Sequence, residues 1–359
     1  MVDCGDRARG CLLGGAIGDA LGAPVEFLSL GQIRRRFGPA GLTGLVAAYG
    51  RAGAITDDTQ MTLFTAEGLL GARRRGENYG ISAPEAAVFS SYLRWLATQG
   101  ERPPAAPGLG HPVELRGLLW ESPELHQRRA PGDTCLEALR GGSMGSPQRP
   151  VNASKGCGGI MRAAPAAWAG GFQAGVAVAA LTHGHPTGYL AAGAFAEIVH
   201  QHLQGRSLQA GIDAALEALR GWDGGAEQAR ETIAAIDAAR RAASDGAPPS
   251  AEAVERLGRG WVAEEALAIA LYAALVSGDF RSGVLLAVNH SGDSDSTGAI
   301  AGNRLGALGG EAALPAEWVQ PLEARELIRR VATDLCQPAP RFDDDPEAHR
   351  EHQRRYPYQ

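Results

Sequence analysis

Alanine- and leucine-rich segments with helical spacing recur along almost the whole chain, at 84–98, 172–181, 188–203, 208–220, 225–243, 262–276 and 297–308, whereas the alternation expected of half-buried strands is scarcely found. A chain patterned this way folds as an all-α protein. The breaks between the segments are short and rich in Gly and Pro: Glu101 to Pro112, Gly141 to Gly159, and Ser244 to Ser250. None has the length of an interdomain linker. With 359 residues, 45% of them hydrophobic, the chain can bury a large core. The expectation is one domain over residues 1–340, followed by a charged, solvated tail over 341–359.

The first helix, read as Asp6 to Gly22, carries Gly10, Gly14, Gly15, Gly18 and Gly22. Each glycine in a helix interior costs about 1 kcal/mol relative to alanine, so something must offset them. Close packing of a second helix against small residues accounts for most; approach of backbone to a ligand or metal cluster is the functional reading.

Several classes of function are disfavoured. The formal net charge is −6 and no basic run exceeds Arg73-Arg74-Arg75, so no nucleic-acid footprint is expected and the partner should be small. No stretch resembles a secretory leader or a membrane span, which leads to the expectation of a soluble, cytoplasmic protein, with a monomer favoured. The five cysteines (Cys4, Cys11, Cys135, Cys157, Cys336) are scattered without C-x-x-C spacing and read as reduced thiols.

Two acidic clusters lie far apart in sequence: Thr56-Asp57-Asp58-Thr59, and Asp293-Ser294-Asp295-Ser296-Thr297. Each precedes an apolar helical run. A lone Asp there would be an ordinary N-cap, but paired carboxylates flanked by hydroxyls exceed what capping requires. If the fold brings the clusters together, their repulsion calls for cations between them. Carboxylate and hydroxyl oxygens suit Mg²⁺ or Mn²⁺ better than zinc, and four carboxylates make two ions plausible.

Between them, Ser154-Lys155-Gly156-Cys157-Gly158-Gly159-Ile160-Met161-Arg162 is a glycine-rich loop able to present backbone N–H groups to an anion, though without P-loop spacing. Arg162 would neutralise phosphate or pair with a surface carboxylate. Thr182-His183-Gly184-His185 places two histidines where structural hydrogen bonding competes with ligand contact, and His183 is the better candidate.

Taken in order, Gly14-Gly15-Ala16-Ile17-Gly18-Asp19-Ala20-Leu21-Gly22-Ala23-Pro24-Val25-Glu26-Phe27, Thr56–Thr59, the Gly156–Arg162 loop, Thr182-His183 and Gly292–Thr297 resemble the ADP-ribosylglycohydrolase family over about residues 7 to 310. The resemblance implies an orthogonal multi-helix bundle with a binuclear metal cleft and an enzyme that hydrolyses the N-glycosidic bond of ADP-ribosylated protein or of a small ADP-ribose conjugate, releasing ADP-ribose. It implies two Mg²⁺ (or Mn²⁺) ions held by Thr56, Asp57, Asp58, Asp293, Asp295 and Ser296. Chemistry would fall to Glu26 as acid/base or water-positioning group, with Asp58 and Asp295. Ser154, Gly156, Gly158, Gly159, Arg162 and His183 would bind substrate. Asp-Ser-Asp-Ser at 293–296 leans the acceptor toward arginine; serine, O-acetyl-ADP-ribose or nucleic-acid linkages are the alternatives, and a non-catalytic ADP-ribose-binding protein is the competing class.

Overall fold

The computed structural model describes residues 3–105 and 112–358. The predicted break from Glu101 to Pro112 lies partly outside them. The described chain is predominantly helical: α1 (Cys4–Gly22), α2 (Leu30–Phe37), α3 (Asp57–Tyr79), α4 (Pro84–Thr98), α5 (Asp133–Arg140), α6 (Phe172–Ala180), α7 (Pro186–Leu203) and α8 (Leu208–Arg220). It continues with α9 (Ala226–Ser244), α10 (Ala251–Glu255), α11 (Ala263–Val276), α12 (Phe280–Val288), α13 (Ser294–Gly309), α14 (Ala316–Val319), α15 (Arg325–Cys336) and α16 (Pro346–Arg355). Among the described residues the only sheet is a two-residue hairpin, β1 (Ala47–Ala48) with β2 (Arg51–Ala52).

The seam between α1 and α13 organises the bundle. Along α1, Gly10, Gly14 and Gly18 face Gly306, Gly302 and Gly298 of α13, so that a Cβ on any of these six would overlap a backbone carbonyl of the opposite helix. Gly22 closes the row against the backbone of Asp295. The helix-interior cost of these glycines is offset by a backbone-to-backbone approach that no side chain permits. The packing reading therefore accounts for the row, which ends beside the second acidic cluster.

Around this seam one hydrophobic cluster draws on residues from Ala8 to Tyr356. A second, small cluster of Val25, Ile33 and Leu42 anchors the excursion that follows α1. That excursion is stitched to the loop before α13: Phe27 N donates to Gly292 O (3.3 Å), Leu30 N to Ser291 Oγ (2.9 Å), and Asn289 pairs with both backbone groups of Leu42. Ser29 and Gln32 form a capping box that starts α2.

Two sequence expectations are corrected. Cys4 and Cys336 are disulfide-bonded, their Cα atoms 6.1 Å apart, joining the start of α1 to the end of α15; Cys11, Cys135 and Cys157 are free. A separation of 332 residues leaves no spacing pattern to read. The segment expected as a solvated tail instead forms α16, capped by Asp345, with His349, His352 and Tyr356 buried. Tyr356 Oη and Arg355 both reach Asp334 of α15 at 2.6 Å. No described helix is long and apolar enough to cross a membrane.

Candidate active site

Thr56 is the N-cap of α3 and Asp293 the N-cap of α13, so each acidic cluster occupies a helix start. Capping fixes their local geometry. The Thr56 hydroxyl accepts from Asp58 N (3.4 Å), and Asp293 Oδ1 accepts from Ser296 N (3.4 Å). The α1–α13 seam and the packing of α1 against α3 then bring the two helix starts together. Asp57, Asp58, Asp293, Asp295 and Ser296 line one cleft of about 200 Å³, together with Glu26, Gly156, Gly158 and His183.

Glu26 joins them because the 26–42 excursion is tied to the 289–292 loop. Single carboxylate oxygens of Glu26, Asp293 and Asp295 lie within 4.8 Å of one another. Burial, then the charges of Asp295, Asp293 and Asp57, push the Glu26 carboxyl up to about 11. Asp57, Asp58 and Asp293 are all raised well above the carboxylate range by burial and by the Asp295 charge; Asp295 is raised by burial itself. These are the shifts of like charges gathered in a low-dielectric pocket without compensation.

Sequence reasoning left Asp19 unassigned. It lies beneath the cleft at the last turn of α1, wholly buried, and accepts from Thr56 N (3.0 Å), Thr56 Oγ1 (2.8 Å), Thr59 N (3.2 Å) and Thr59 Oγ1 (2.5 Å). Burial and the Asp295 charge hold its carboxyl at about 7. The signal that could have found it was a lone charge in the otherwise apolar, glycine-rich stretch from Gly10 to Gly22. Asp133, Thr134 and Trp261 also line the cleft and were not singled out, and Cys135, Cys157 and Met161 line it although no site role was assigned to them.

The glycine-rich loop reaches the site through a third strip of chain. Cys157 N donates to Trp261 O (3.1 Å), Ala263 N to Lys155 O (2.9 Å), and Asp293 N to Arg259 O (2.8 Å), so residues 259–263 hold the loop and the second acidic cluster in one frame. Cys157 Sγ donates to Asp293 Oδ2 at 2.6 Å. Gly156 and Gly158 face the cleft, whereas Ser154 and Gly159 stand one layer back, Ser154 Oγ bonded to Thr134 Oγ1 at 3.1 Å.

Arg162 does not face the cleft, which corrects its reading as a phosphate contact. It is fully buried, stacks on Tyr92 at 4.4 Å, and donates to Thr182 Oγ1 (2.5 Å), Cys135 Sγ (3.2 Å) and Val178 O (3.4 Å). Its role is to position Thr182, whose hydroxyl in turn pairs with His183 Nδ1 at 2.9 Å. Burial, with Arg162 nearby, lowers His183 to about 3, so the ring is a neutral polar group at the cleft wall.

The donor set fits a hard divalent cation. Glu26 Oε2 and Asp58 Oδ1 are buried without a hydrogen-bond partner, which is costly for a carboxylate unless something else satisfies it. The donors around them are carboxylate and hydroxyl oxygens, the ligands preferred by Mg²⁺ and Mn²⁺, and a cation among them would reverse the electrostatics that raise their pKa values.

Residues 2–343 match the family model described as ADP-ribosylglycohydrolase. The chain is 28% identical over 340 residues to the ADP-ribosyl-dinitrogen reductase glycohydrolase of Rhodospirillum rubrum, covering 91% of this chain and 94% of that protein. It is 27% identical over 348 residues to ADP-ribosylarginine hydrolase Tri1 of Pseudomonas putida (strain GB-1), covering 94% and 80%. A solved structure titled ADP-ribosylglycohydrolase-related protein complex superposes with a TM-score of 0.61 at 27% identity, covering 93% of this chain and 98% of that one.

Proposed function

Because the chain belongs to the ADP-ribosylglycohydrolase family, whose members hydrolyse ADP-ribose linkages, we propose that it cleaves the N-glycosidic bond of ADP-ribosyl-arginine on protein and releases free ADP-ribose. The observation that carries this reading is the convergence of Glu26, Asp57, Asp58, Asp293 and Asp295 on one cleft walled by the glycine-rich loop. The arginine acceptor draws support from the name of the Pseudomonas relative and from Asp-Ser-Asp-Ser at 293–296.

In this proposal Thr56, Asp57, Asp58, Asp293, Asp295 and Ser296 hold two Mg²⁺ or Mn²⁺ ions. Such ions orient ribose hydroxyls, stabilise an oxocarbenium-like transition state and acidify water. Asp19 fixes the hydroxyls of Thr56 and Thr59 from below, so the first turn of α3 is set before substrate arrives. Gly156 and Gly158 let the diphosphate approach the loop backbone, and neutral His183 offers a polar edge to the same ligand. Glu26 orients the attacking water and takes its proton as the C–N electron pair leaves with the guanidine nitrogen. That proton then passes to the departing guanidine, which leaves as the guanidinium.

The test is release of free ADP-ribose from arginine-, serine- and acetyl-linked substrates with Mg²⁺ or Mn²⁺, with EDTA and Asp295→Ala as controls. Metal-dependent release from the arginine linkage alone is the expected result. Release from another linkage alone overturns the acceptor, and tight ADP-ribose binding without release overturns the chemistry.

A further inference from the structure

The fold adds sulfur to the second acidic cluster, whose own side chains offer only oxygen. Cys157, from the glycine-rich loop, donates its thiol proton to Asp293 Oδ2 at 2.6 Å, and Ser296 Oγ stands 3.7 Å from the same sulfur. Met161 Sδ lies 3.9 Å from that hydroxyl. Single carboxylate oxygens of Asp293 and Asp295 lie within 4.8 Å of each other, and all of these residues line the cleft. A thiol, two carboxylates and a hydroxyl therefore converge, which is the number of donors a tetrahedral cation takes.

Two further observations single out this thiol. Cys157 is free and half-buried, so it can be reached from the cleft. Cys135 is the other free thiol in the lining, but its sulfur accepts from Arg162 Nη1 at 3.2 Å, and a guanidinium there repels a cation. Independently, Asp58 is only 3% exposed, lines the same cleft and leaves Oδ1 without a hydrogen-bond partner. A buried carboxylate oxygen with no donor is costly and points to a cation in this space. Zinc holds sulfur at about 2.3 Å and carboxylate oxygen at about 2.0–2.2 Å, which sets two tetrahedral ligands about 3.6 Å apart. The Cys157–Ser296 pair already has that spacing, and the Cys157–Asp293 pair, closed on the thiol proton at 2.6 Å, opens by about 1 Å.

We infer that Cys157 Sγ, with Asp293, Asp295 and Ser296, forms a mixed sulfur–oxygen site for a thiophilic divalent cation of the zinc class. The cation takes the place of the thiol proton, which leaves to solvent, and the thiolate becomes the ligand. Thiolate ligation favours zinc and cobalt over manganese, through ligand softness and through the general affinity order alike. The site needs only these contacts and does not depend on the arginine-hydrolase reading, which gives the same oxygens to a hard cation.

The experiment titrates Co²⁺ into the full-length protein, freed of metal with EDTA and with its Cys4–Cys336 bond intact, and follows sulfur-to-cobalt charge-transfer absorption in the near ultraviolet. Calorimetry then measures Zn²⁺ and Mn²⁺ binding, with thermal melting to verify folding. Wild type and Cys135→Ser should show the band; Cys157→Ser and Cys157→Ala should not. Both Cys157 variants should bind Zn²⁺ at least about tenfold more weakly, since even an outer partner of a metal is worth about 10–100-fold, while Mn²⁺ affinity stays nearly unchanged. A wild type without the band, a band that survives in the Cys157 variants, or equal losses of Zn²⁺ and Mn²⁺ affinity overturns the site. Each of these outcomes leaves the hydrolase reading to its own test by ADP-ribose release.

Discussion

The Thr59 hydroxyl donates to Asp19 Oδ2 at 2.5 Å, tying the last turn of α1 to the first turn of α3 at the floor of the cleft. Asp19 holds Thr56 by its backbone and hydroxyl as well, so one buried carboxylate sets the orientation of the whole first acidic cluster. Asp19→Ala should reduce Mn²⁺ affinity or kcat by about 10–100-fold, as loss of an outer partner does at metal sites. Asp19→Asn, which keeps an acceptor oxygen, should lose less. Metal titration of activity in the two variants, with circular dichroism to verify folding, checks this.

Glu26 sits among Asp293 and Asp295 with one carboxylate oxygen unpartnered. Glu26→Gln retains the shape and removes the proposed base, so kcat should fall by about 10²–10⁴-fold with KM nearly unchanged. A loss confined to KM would remove Glu26 from the chemistry.

Helix propensity and packing make opposite predictions for Gly18→Ala. Propensity alone would stabilise α1 by about 1 kcal/mol, but the new methyl would overlap the Gly298 carbonyl, and forcing atoms into a closed contact costs about 1–3 kcal/mol or more. Net destabilisation is expected in urea unfolding. A more stable variant would mean that the two helices are not in backbone contact at this point.

Away from the cleft, His202 Nε2 accepts from Arg304 Nε at 3.3 Å and is buried, and burial followed by the Arg304 charge lowers its pKa to about 3 from 6.5. The unfolded chain therefore takes up a proton below pH 6.5 that the folded chain refuses until about pH 3. Stability falls as pH drops through that window, at roughly 1.4 kcal/mol per pH unit from this group. The raised carboxyls of the cleft act with the opposite sign, so the check is the difference between wild type and His202→Gln in melting curves from about pH 7.5 to 5: the variant should lose less stability, or gain more, on acidification.

Helices whose buried face is built from Ala and Leu could be read directly: 84–98 and 208–220 coincide with α4 and α8. Those missed, α2, α5, α10, α12, α14, α15 and α16, are short or heavily charged, and α16 packs through His349, His352 and Tyr356 rather than through an aliphatic stripe. The acidic clusters were visible because paired carboxylates at a helix start are in excess of capping needs. Arg162 was misplaced because sequence does not reveal which way a side chain turns from a glycine loop, and its partners Thr182 and Cys135 lie in other segments. Trp261 carries no local signal, since an exposed aromatic acquires meaning only from what stands beside it.

The glycine row between α1 and α13 has a bearing on how such a site tolerates change. Because main chain touches main chain from Gly10 to Gly22, the offset between Asp19 and the Asp293–Asp295 turn is gauged by peptide dimensions, with no intervening side chain to swell or shrink. Sequence drift in the surrounding apolar core can alter stability without re-spacing the carboxylates. The seam thus acts as a fixed ruler, separating change in the scaffold from change in the acidic cleft.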